Sequence, residues 1–269
     1  MLLSEIHPSQ SLSPYISQYW EGSFNVDKTQ DMCLHLTPHG CLEIIVHLNE
    51  IHCQIYKDGK WEKSPDYMVI GMFTQPHKVM FQSLVNAFAI RFKPDGFYHI
   101  FGVPPALFID AYEDIALILD KKFREFSHLI REAKTMESRI ALTEKFLLNC
   151  LDRSTTMENY VHYAARLIRR DPNIKIIDLA DKVHVSQRQL ERQFKERIGV
   201  SPKHYLRLNR IQKALQHFNL SHTVDMLSVA YSCGYFDQAH FIKDFKKITG
   251  LNPSTFVKTE DQMMPTSFG

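Results

Sequence analysis

The chain has 269 residues, 44% of them hydrophobic and 23% charged, which excludes a disordered chain and leaves room for one large or two modest domains. The net charge of +2 is unevenly distributed: residues 1–159 carry 15 Lys and Arg against 20 Asp and Glu, whereas residues 160–260 carry 17 against 9. An acidic front half and a basic back half predict two domains with different partners. A polyanion is the natural partner of the basic half, and a solvated basic face without a partner is the alternative.

The beginning of the chain has no basic region followed by an apolar run, so we predict no signal peptide. No apolar run reaches the length of a membrane span. The five cysteines lack the spacing of a disulfide framework, which predicts free thiols in a reducing cytoplasm. We expect a cytoplasmic protein, and no motif predicts a cofactor.

The first hundred residues read mostly as β-strands. Five segments are apolar, β-branched or alternating, and polar turns separate them. The Asp-Gly pair within residues 57–60 predicts a hairpin. Short strands at this spacing predict a small barrel or sandwich. The segments are 41–48, 51–56, 67–73, 78–82 and 86–92.

After Phe101 the pattern becomes helical. Apolar residues recur at intervals of three and four in residues 123–133, and a broad apolar band follows in residues 140–151. These helices either cover the β-rich domain or form the seam of a dimer, and the pattern does not separate the two. The polar residues that come next are typical of a linker.

From Tyr160 onward the chain reads as one helix after another. The predicted fold is therefore α+β and multidomain, with a β-rich barrel or sandwich and its capping helices followed by an all-α domain. The predicted boundaries are residues 1–152 for the N-terminal domain, 153–159 for the linker, 160–260 for the helical domain and 261–269 for a tail.

One phrase of the helical part occurs twice, as FKERIGVSPKHY from Phe194 and as FKKITGLNPSTF from Phe245, 51 positions later. In each copy, apolar residues four apart predict one buried helix face, and a glycine stands where the helix ends in the left-handed conformation. A proline then begins the next helix. Ser186 and Asp237 match at the same offset and are good N-caps. Each copy is thus predicted to be one capped helix of about three turns.

A shorter helix precedes each capped helix, at residues 176–183 and 224–233. A short helix, a tight turn and a capped helix make a helix-turn-helix unit, and the second turn is one residue longer than the first. Residues 202–218 contain good helix formers and no internal glycine or proline, so they predict a single helix that links the two units.

The polar faces of the two capped helices carry the basic excess. A helical repeat or bundle is the alternative, but two copies are fewer than a solenoid needs. Arg, Lys, Gln and His are the side chains that donate to phosphates and base edges. The predicted exposed residues are Gln187, Arg188, Glu191, Arg192, Lys195 and Arg197 in the first helix, and Gln238, His240, Lys243, Lys246 and Lys247 in the second.

Residues 160–260 resemble the DNA-binding domain of AraC/XylS-type transcription regulators, in which one long helix joins two helix-turn-helix units. The resemblance implies that each capped helix enters a major groove, with the groove centres about 34 Å apart. It rests on Leu179-Ala180 and Val185-Ser186 in the first unit, on Arg210 and Ala214 in the linking helix, and on Val229-Ala230, Gly234-Tyr235, Phe241, Phe245-Lys246-Lys247, Gly250 and Asn252-Pro253 in the second unit.

The same resemblance implies which side chains contact DNA. Arg192 and Lys243 are the best candidates for base contacts, because both types can pair with guanine. Ala239 offers only a methyl group, and Glu191 has to accept from cytosine or stay out of the groove. Predicted phosphate contacts are Lys195, Lys246 and Lys247, and the other predicted DNA-binding residues are Ser186, Gln187, Arg188, Arg210, Gln238 and His240.

The β-rich part more faintly resembles the sensor domains of such regulators, through FKPDGFYHIFGVP at residues 92–104. In the segment NAFAIRF, alternation places Arg91 on a face with small alanines, which predicts either a pocket for an anion or an ordinary solvent face. Trp20 and Trp61 join Arg91 as candidate ligand-binding residues, with a place in the core as their alternative.

The segment CLHLTPHGC has residues with the identities of metal ligands. Their spacing fits no standard zinc pattern, so we predict no metal site and keep metal sensing as the alternative. The residues are Cys33, His35, His39 and Cys41.

These features predict a sequence-specific DNA-binding transcription regulator, by resemblance an activator, and no enzyme. The predicted partners are double-stranded DNA, RNA polymerase, a small-molecule effector and a second copy of the chain. One alternative is a repair-type enzyme with a reactive cysteine or a metal site in the front domain, although the sequence shows no phosphate loop or nucleophile elbow. Another is a helical protein-interaction module, whose binding would respond little to salt.

Overall fold

The computed structural model describes residues 2–24, 32–36, 40–119, 121–151, 160–220 and 225–258. Its N-terminal part contains two antiparallel sheets. The six-stranded sheet has the order β1 (Leu2–Ile6), β2 (Ile16–Phe24), β9 (Val85–Phe92), β4 (Glu43–His47), β7 (Tyr67–Ile70) and β10 (Tyr112–Asp114). The four-stranded sheet has the order β3 (Met32–Leu36), β8 (His77–Phe81), β5 (Gln54–Lys57) and β6 (Lys60–Lys63).

The two sheets pack face to face as a sandwich, which is one of the two architectures predicted for this β-rich part. One apolar cluster lies between them, with Trp20 and Phe24 from the larger sheet and Val79 and Phe81 from the smaller. The predicted hairpin joins β5 and β6, and Asp58 and Gly59 both have positive φ there (49° and 83°), as the primed turns of two-residue hairpins require.

Three helices cover the outer face of the larger sheet: α1 (Gly96–Phe101), α2 (Lys121–Glu132) and α3 (Met136–Cys150). The central strand β9 therefore has no solvent face. Its Phe88 and Ile90 pack under the helices, while Ala87 and Ala89 face the second sheet at 3% and 0% exposure. Both alanines are buried, so the solvent-face interpretation of NAFAIRF is wrong at these two positions.

The C-terminal part is helical, as predicted, and its helices enclose one apolar cluster. The predicted linker (153–159) and the predicted tail (261–269) lie outside the described residues. None of the helices in the described ranges is long and apolar enough to cross a membrane. The helices are α4 (Tyr160–Arg170), α5 (Ile176–Lys182), α6 (Gln187–Arg197), α7 (Pro202–Leu220), α8 (Met226–Ser232), α9 (Gln238–Thr249) and α10 (Pro253–Lys258).

The two parts pack against each other through apolar contacts. Met72, from the loop after β7, is 3% exposed and belongs to the apolar cluster of the helical part, against which Ile109 also packs. The 3₁₀ turn Pro105–Phe108 contacts α6. The β-rich part therefore completes the core of the helical part.

Polar contacts cross the same boundary. Asp95 is 1% exposed and accepts a hydrogen bond from Nδ1 of His162 on α4 at 2.9 Å. Burial alone would raise the pKa of Asp95, but His162 and His99 lower it to about 2. Tyr98 on α1 donates to Oε1 of Glu196 on α6 at 3.0 Å. The boundary thus holds a charged carboxylate as well as apolar side chains.

Candidate nucleic-acid interface

The capped helices α6 and α9 begin and end as the repeated phrase predicts. Ser186 Oγ accepts from the backbone N–H of Gln189 at 3.2 Å, and Asp237 Oδ1 accepts from that of His240 at 2.7 Å. Each helix is followed by a glycine with positive φ, Gly199 at 101° and Gly250 at 80°. Because L side chains rarely adopt this conformation, both positions favour glycine.

The buried faces of α6 and α9 are also equivalent. Leu190 and Phe194 on α6, and Phe241 and Phe245 on α9, are all 0% exposed. Phe194 packs edge-on against Tyr205, and Phe245 packs against Phe218 and Phe256. These contacts settle which side of each helix faces outward, so the identity of the outward side chains determines what the surface can bind.

The outward side chains are the predicted basic and polar ones, with one correction. Arg197 was predicted to be exposed, but it is half-buried, and its guanidinium lies 5.0 Å from the ring centroid of Tyr98 in the β-rich part. It therefore faces the domain boundary. Of the residues considered for DNA contact, the exposed ones are Ser186, Gln187, Arg188, Glu191, Arg192 and Lys195 on the first unit, and Gln238, Ala239, His240, Lys243, Lys246 and Lys247 on the second.

An ion pair that the sequence did not reveal anchors the second helix. Asp244 on α9 is 5% exposed, and both of its carboxylate oxygens accept from the guanidinium of Arg207 on α7. Such a two-point pair fixes direction as well as distance. His240, one helical turn before Asp244 on α9, has its Nε2 3.7 Å from Asp244 Oδ2. The linking helix α7 thus orients α9 through Arg207.

Arg210, predicted to bind DNA, lies within the helical part. Its Nε donates to the backbone carbonyl of Pro172 at 2.7 Å, and its guanidinium lies 5.4 Å from the ring centroid of Tyr235. Tyr235 is 3% exposed and belongs to the turn of the second unit. Arg210 therefore ties the loop after α4 to that turn.

Comparison with known proteins agrees with this architecture. The family described as a helix-turn-helix domain matches residues 179–259, which begin within α5 of the first unit and include the linking helix and the second unit. RhaS of Escherichia fergusonii, an HTH-type transcriptional activator, is 38% identical over 76 residues. Residues 179–259 are therefore similar to the DNA-binding domain of AraC/XylS-type regulators. A domain of unknown function (DUF6597) matches residues 4–114, in the β-rich part of the chain.

These relatives share only part of their length with this chain. The RhaS match covers 28% of this chain and 27% of RhaS. The Msm operon regulatory protein of Streptococcus mutans is 30% identical over 124 residues, which cover 44% of this chain and 43% of that protein. The chain thus spans less than half the length of either relative. ToxT of Vibrio cholerae has the same fold over 89% of this chain and 98% of its own, with a TM-score of 0.51 at 9% identity.

A pocket of about 330 Å³ lies between the β-rich part and the helical part of the chain. Arg91 and Lys93 line it from the β-rich part, and Arg169 on α4 and Lys213 on α7 line it from the helical part. The Arg91 guanidinium pairs with Glu43, which is 4% exposed, so its charge is already balanced in the fold. Lys93 and Lys213 are then the stronger candidates for contact with a bound anion.

The electrostatics of the pocket favour an anion. Burial lowers the pKa of Lys93, and the nearby cations Arg169 and Arg166 lower it further, while Asp95 acts in the opposite direction. Like charges gathered in one partly buried place disfavour each other's charged forms. A bound anion would relieve that repulsion, so the pocket has the charge of an anion site.

The three predicted ligand residues are not brought together. Trp20 is 6% exposed in the cluster between the sheets, and Trp61 lies on the edge strand β6, where its ring contacts Tyr56. Of the three, Arg91 lines the pocket between the parts. Lys93 and Lys213 were missed, because their convergence depends on how the two domains pack.

The cysteine and histidine segment is partly outside the described residues. His39 falls there, while Cys33 is exposed and Cys41 lines the same pocket as Arg91. Within the described ranges, no three His, Cys, Asp or Glu side chains are placed to hold a metal ion. Burial raises the pKa of Cys53, which keeps that thiol protonated.

Proposed function

We propose that this chain is a sequence-specific DNA-binding regulator that reads two successive major grooves with α6 and α9. One observation carries the proposal. The two helices have the same caps and the same buried face, but their outward side chains differ. The two helix-turn-helix units thus share one scaffold but present different basic surfaces. This is what binding to two different half-sites on one DNA duplex requires.

The outward residues divide by their place on each helix. Arg192 and Lys243 lie in the middle of α6 and α9, and both types can donate to the O6 and N7 acceptors of guanine. Nearer the C-terminal ends, Lys195, Lys246 and Lys247 are proposed to contact phosphates. Further contacts are proposed from the N-terminal ends of the helices, by Ser186, Gln187, Arg188, Gln238 and His240.

The division predicts different effects of substitution. The target duplex is first selected from a random-sequence library with the full chain, and affinities are then measured by fluorescence anisotropy. Arg192→Ala and Lys243→Ala are each expected to cost about 1–3 kcal/mol on the selected site and to relax the sequence preference at one position. Lys246→Ala is expected to weaken binding to every duplex alike and to reduce the salt slope by about one.

Lys121→Ala is the matched control, because Lys121 is an exposed lysine on α2 of the β-rich part. It should leave affinity and salt slope unchanged. If all four variants behaved alike on every duplex, the proposed roles would be wrong. If the library yielded no preferred site, sequence-specific reading itself would be refuted.

For the regulatory role we propose an activator that contacts RNA polymerase, and a second copy of the chain as a further partner. RhaS is an activator by its description, and the Msm protein is an operon regulator. A promoter fusion carrying the selected site tests the sign of regulation. Expression should rise with the wild-type chain and fall to background with Arg192→Ala. Repression of the fusion by the wild-type chain would contradict an activating role.

We also propose that the pocket between the two parts binds a small anionic effector. Lys93 and Lys213 approach it from opposite domains, so an anion there contacts both. The probe is 8-anilinonaphthalene-1-sulfonate, whose fluorescence rises on binding. Lys93→Met and Lys213→Met should each weaken its binding about tenfold, as expected for loss of one hydrogen bond to a charged group. Lys57→Met, an exposed lysine on β5, is the control, and equal binding by all variants would refute the site.

A further inference from the structure

The turns of the two helix-turn-helix units follow the same path except for one residue. Val185 and Tyr235 each donate a backbone hydrogen bond to the alanine carbonyl five residues earlier, at 3.1 and 3.0 Å. In the first unit the N-cap Ser186 follows Val185 directly. In the second unit, Phe236 stands between Tyr235 and the N-cap Asp237. The additional residue of the longer turn is therefore Phe236.

The Phe236 side chain is not packed into the core of the described residues. Its exposure of 88% is the highest among the large apolar side chains of the described residues. By contrast, the equivalent turn residues are covered: Val185 is half-buried, and Tyr235 is 3% exposed. Exposed single apolar residues are common, but a phenyl ring left almost wholly in water gains much from any surface that covers it. The position of Phe236 determines which surface that is.

Phe236 lies at the N-terminal end of α9, next to the side chains proposed to read bases. The N-cap Asp237 separates it from Gln238 and Ala239, which are both exposed. Further along the same helix, Lys243 and Lys246 supply positive charge. The Phe236 ring thus lies beside a basic surface that attracts a polyanion. Its surroundings therefore favour contact with DNA over contact with an apolar protein surface.

The chemistry of the major groove supplies one apolar partner. Among the four base pairs, the C5-methyl of thymine is the apolar group displayed in that groove, and alanine and phenylalanine side chains are known to contact it. We propose that Phe236, with the methyl group of Ala239, reads a thymine in the major groove that α9 enters. This inference rests on the proposed function, because it requires α9 in a major groove.

The test uses the full chain and its selected duplex. Each thymine is replaced in turn by deoxyuridine, which lacks the C5-methyl, and affinities are measured by anisotropy. With the wild-type chain, one replacement in the half-site of α9 should weaken binding about fourfold, the effect of one buried methyl group. Phe236→Ala should weaken binding to the intact duplex and make that replacement nearly neutral. This loss of additivity would assign the methyl contact to Phe236.

Leu117→Ala is the matched control, since Leu117 is 76% exposed in the β-rich part, and it should keep the wild-type response to deoxyuridine. Full affinity and full deoxyuridine sensitivity in Phe236→Ala would overturn the inference. Lost transcription with unchanged DNA affinity would overturn it in favour of a protein partner. Weaker binding by Phe236→Ala without any deoxyuridine effect would place the ring on the sugar–phosphate backbone and also overturn it. Failure of the proposed function is distinct, because then no preferred duplex is selected at all.

Discussion

Arg207→Met is expected to lower the free energy of unfolding by about 3 kcal/mol, because it leaves the Asp244 carboxylate buried without its partner. The value lies at the lower end for a broken buried pair, since the Arg207 side chain is 27% exposed. Urea unfolding followed by circular dichroism measures the change. The same variant should weaken DNA binding more than its stability loss at working temperature explains, because α9 loses its orienting contact with α7.

A double variant separates the ion pair from simple packing. Arg207→Met with Asp244→Leu replaces both charges by apolar groups of similar size, and such replacements are often neutral or stabilising. We therefore expect most of the lost stability to return in the double variant, while DNA affinity stays reduced. If the double variant were as unstable as Arg207→Met alone, the loss would come from missing contacts of the arginine stem.

Acidification from pH 7 to pH 4 is expected to cost about 3 kcal/mol of stability through His47 alone. His47 is 1% exposed, and burial, together with the nearby His52, lowers its pKa to about 4. Below the ordinary histidine pKa of about 6.5, His47 binds a proton in the unfolded chain but stays neutral in the folded chain. The stability is therefore complete above about pH 6.5 and is lost progressively as the pH falls towards 4.

The environment of His47 explains why the folded protein keeps it neutral. Its Nε2 lies 3.2 Å from Ser64 Oγ, and its ring stacks on that of His52 with centroids 4.4 Å apart. His47→Gln should flatten the dependence of the urea midpoint on pH between about 4.5 and 6.5. His7→Gln, at an exposed position, is the control and should keep the wild-type slope. An unchanged slope in His47→Gln would show that another group controls acid unfolding.

The parts of the fold that were predicted correctly depend on local chemistry. Helix caps such as Ser186, left-handed glycines such as Gly250 and prolines that begin a helix act within a few residues of the chain. They can therefore be recognised in the sequence. The same holds for the hairpin at Asp58-Gly59. Strands β1, β2, β3, β6 and β10 lie outside the five predicted segments, and each of them pairs with a strand that was predicted or with a neighbour of one.

The parts that were missed depend on contacts between distant segments. Arg207 and Asp244 are 37 residues apart and meet only because α7 and α9 pack together. Arg91 was read as a lone arginine, but Glu43 balances its charge across neighbouring strands. Arg197 has the same helical spacing as the exposed residues of α6, but Tyr98 of the β-rich part packs against it and covers it. Spacing predicts the face of a helix but not what covers that face.

The packing of Met72 and Ile109 into the helical core limits how this protein can be recombined. A chimera that joins residues 160–258 to a foreign sensor would leave a cavity where those two side chains pack. It would also lose the hydrogen bond between His162 and Asp95. A graft of the foreign domain alone should therefore give an unstable or unresponsive hybrid. A working exchange therefore has to carry Met72, Ile109 and Asp95 with their loops into the new domain. In this fold the contacts between the domains have to be kept together with the domains themselves.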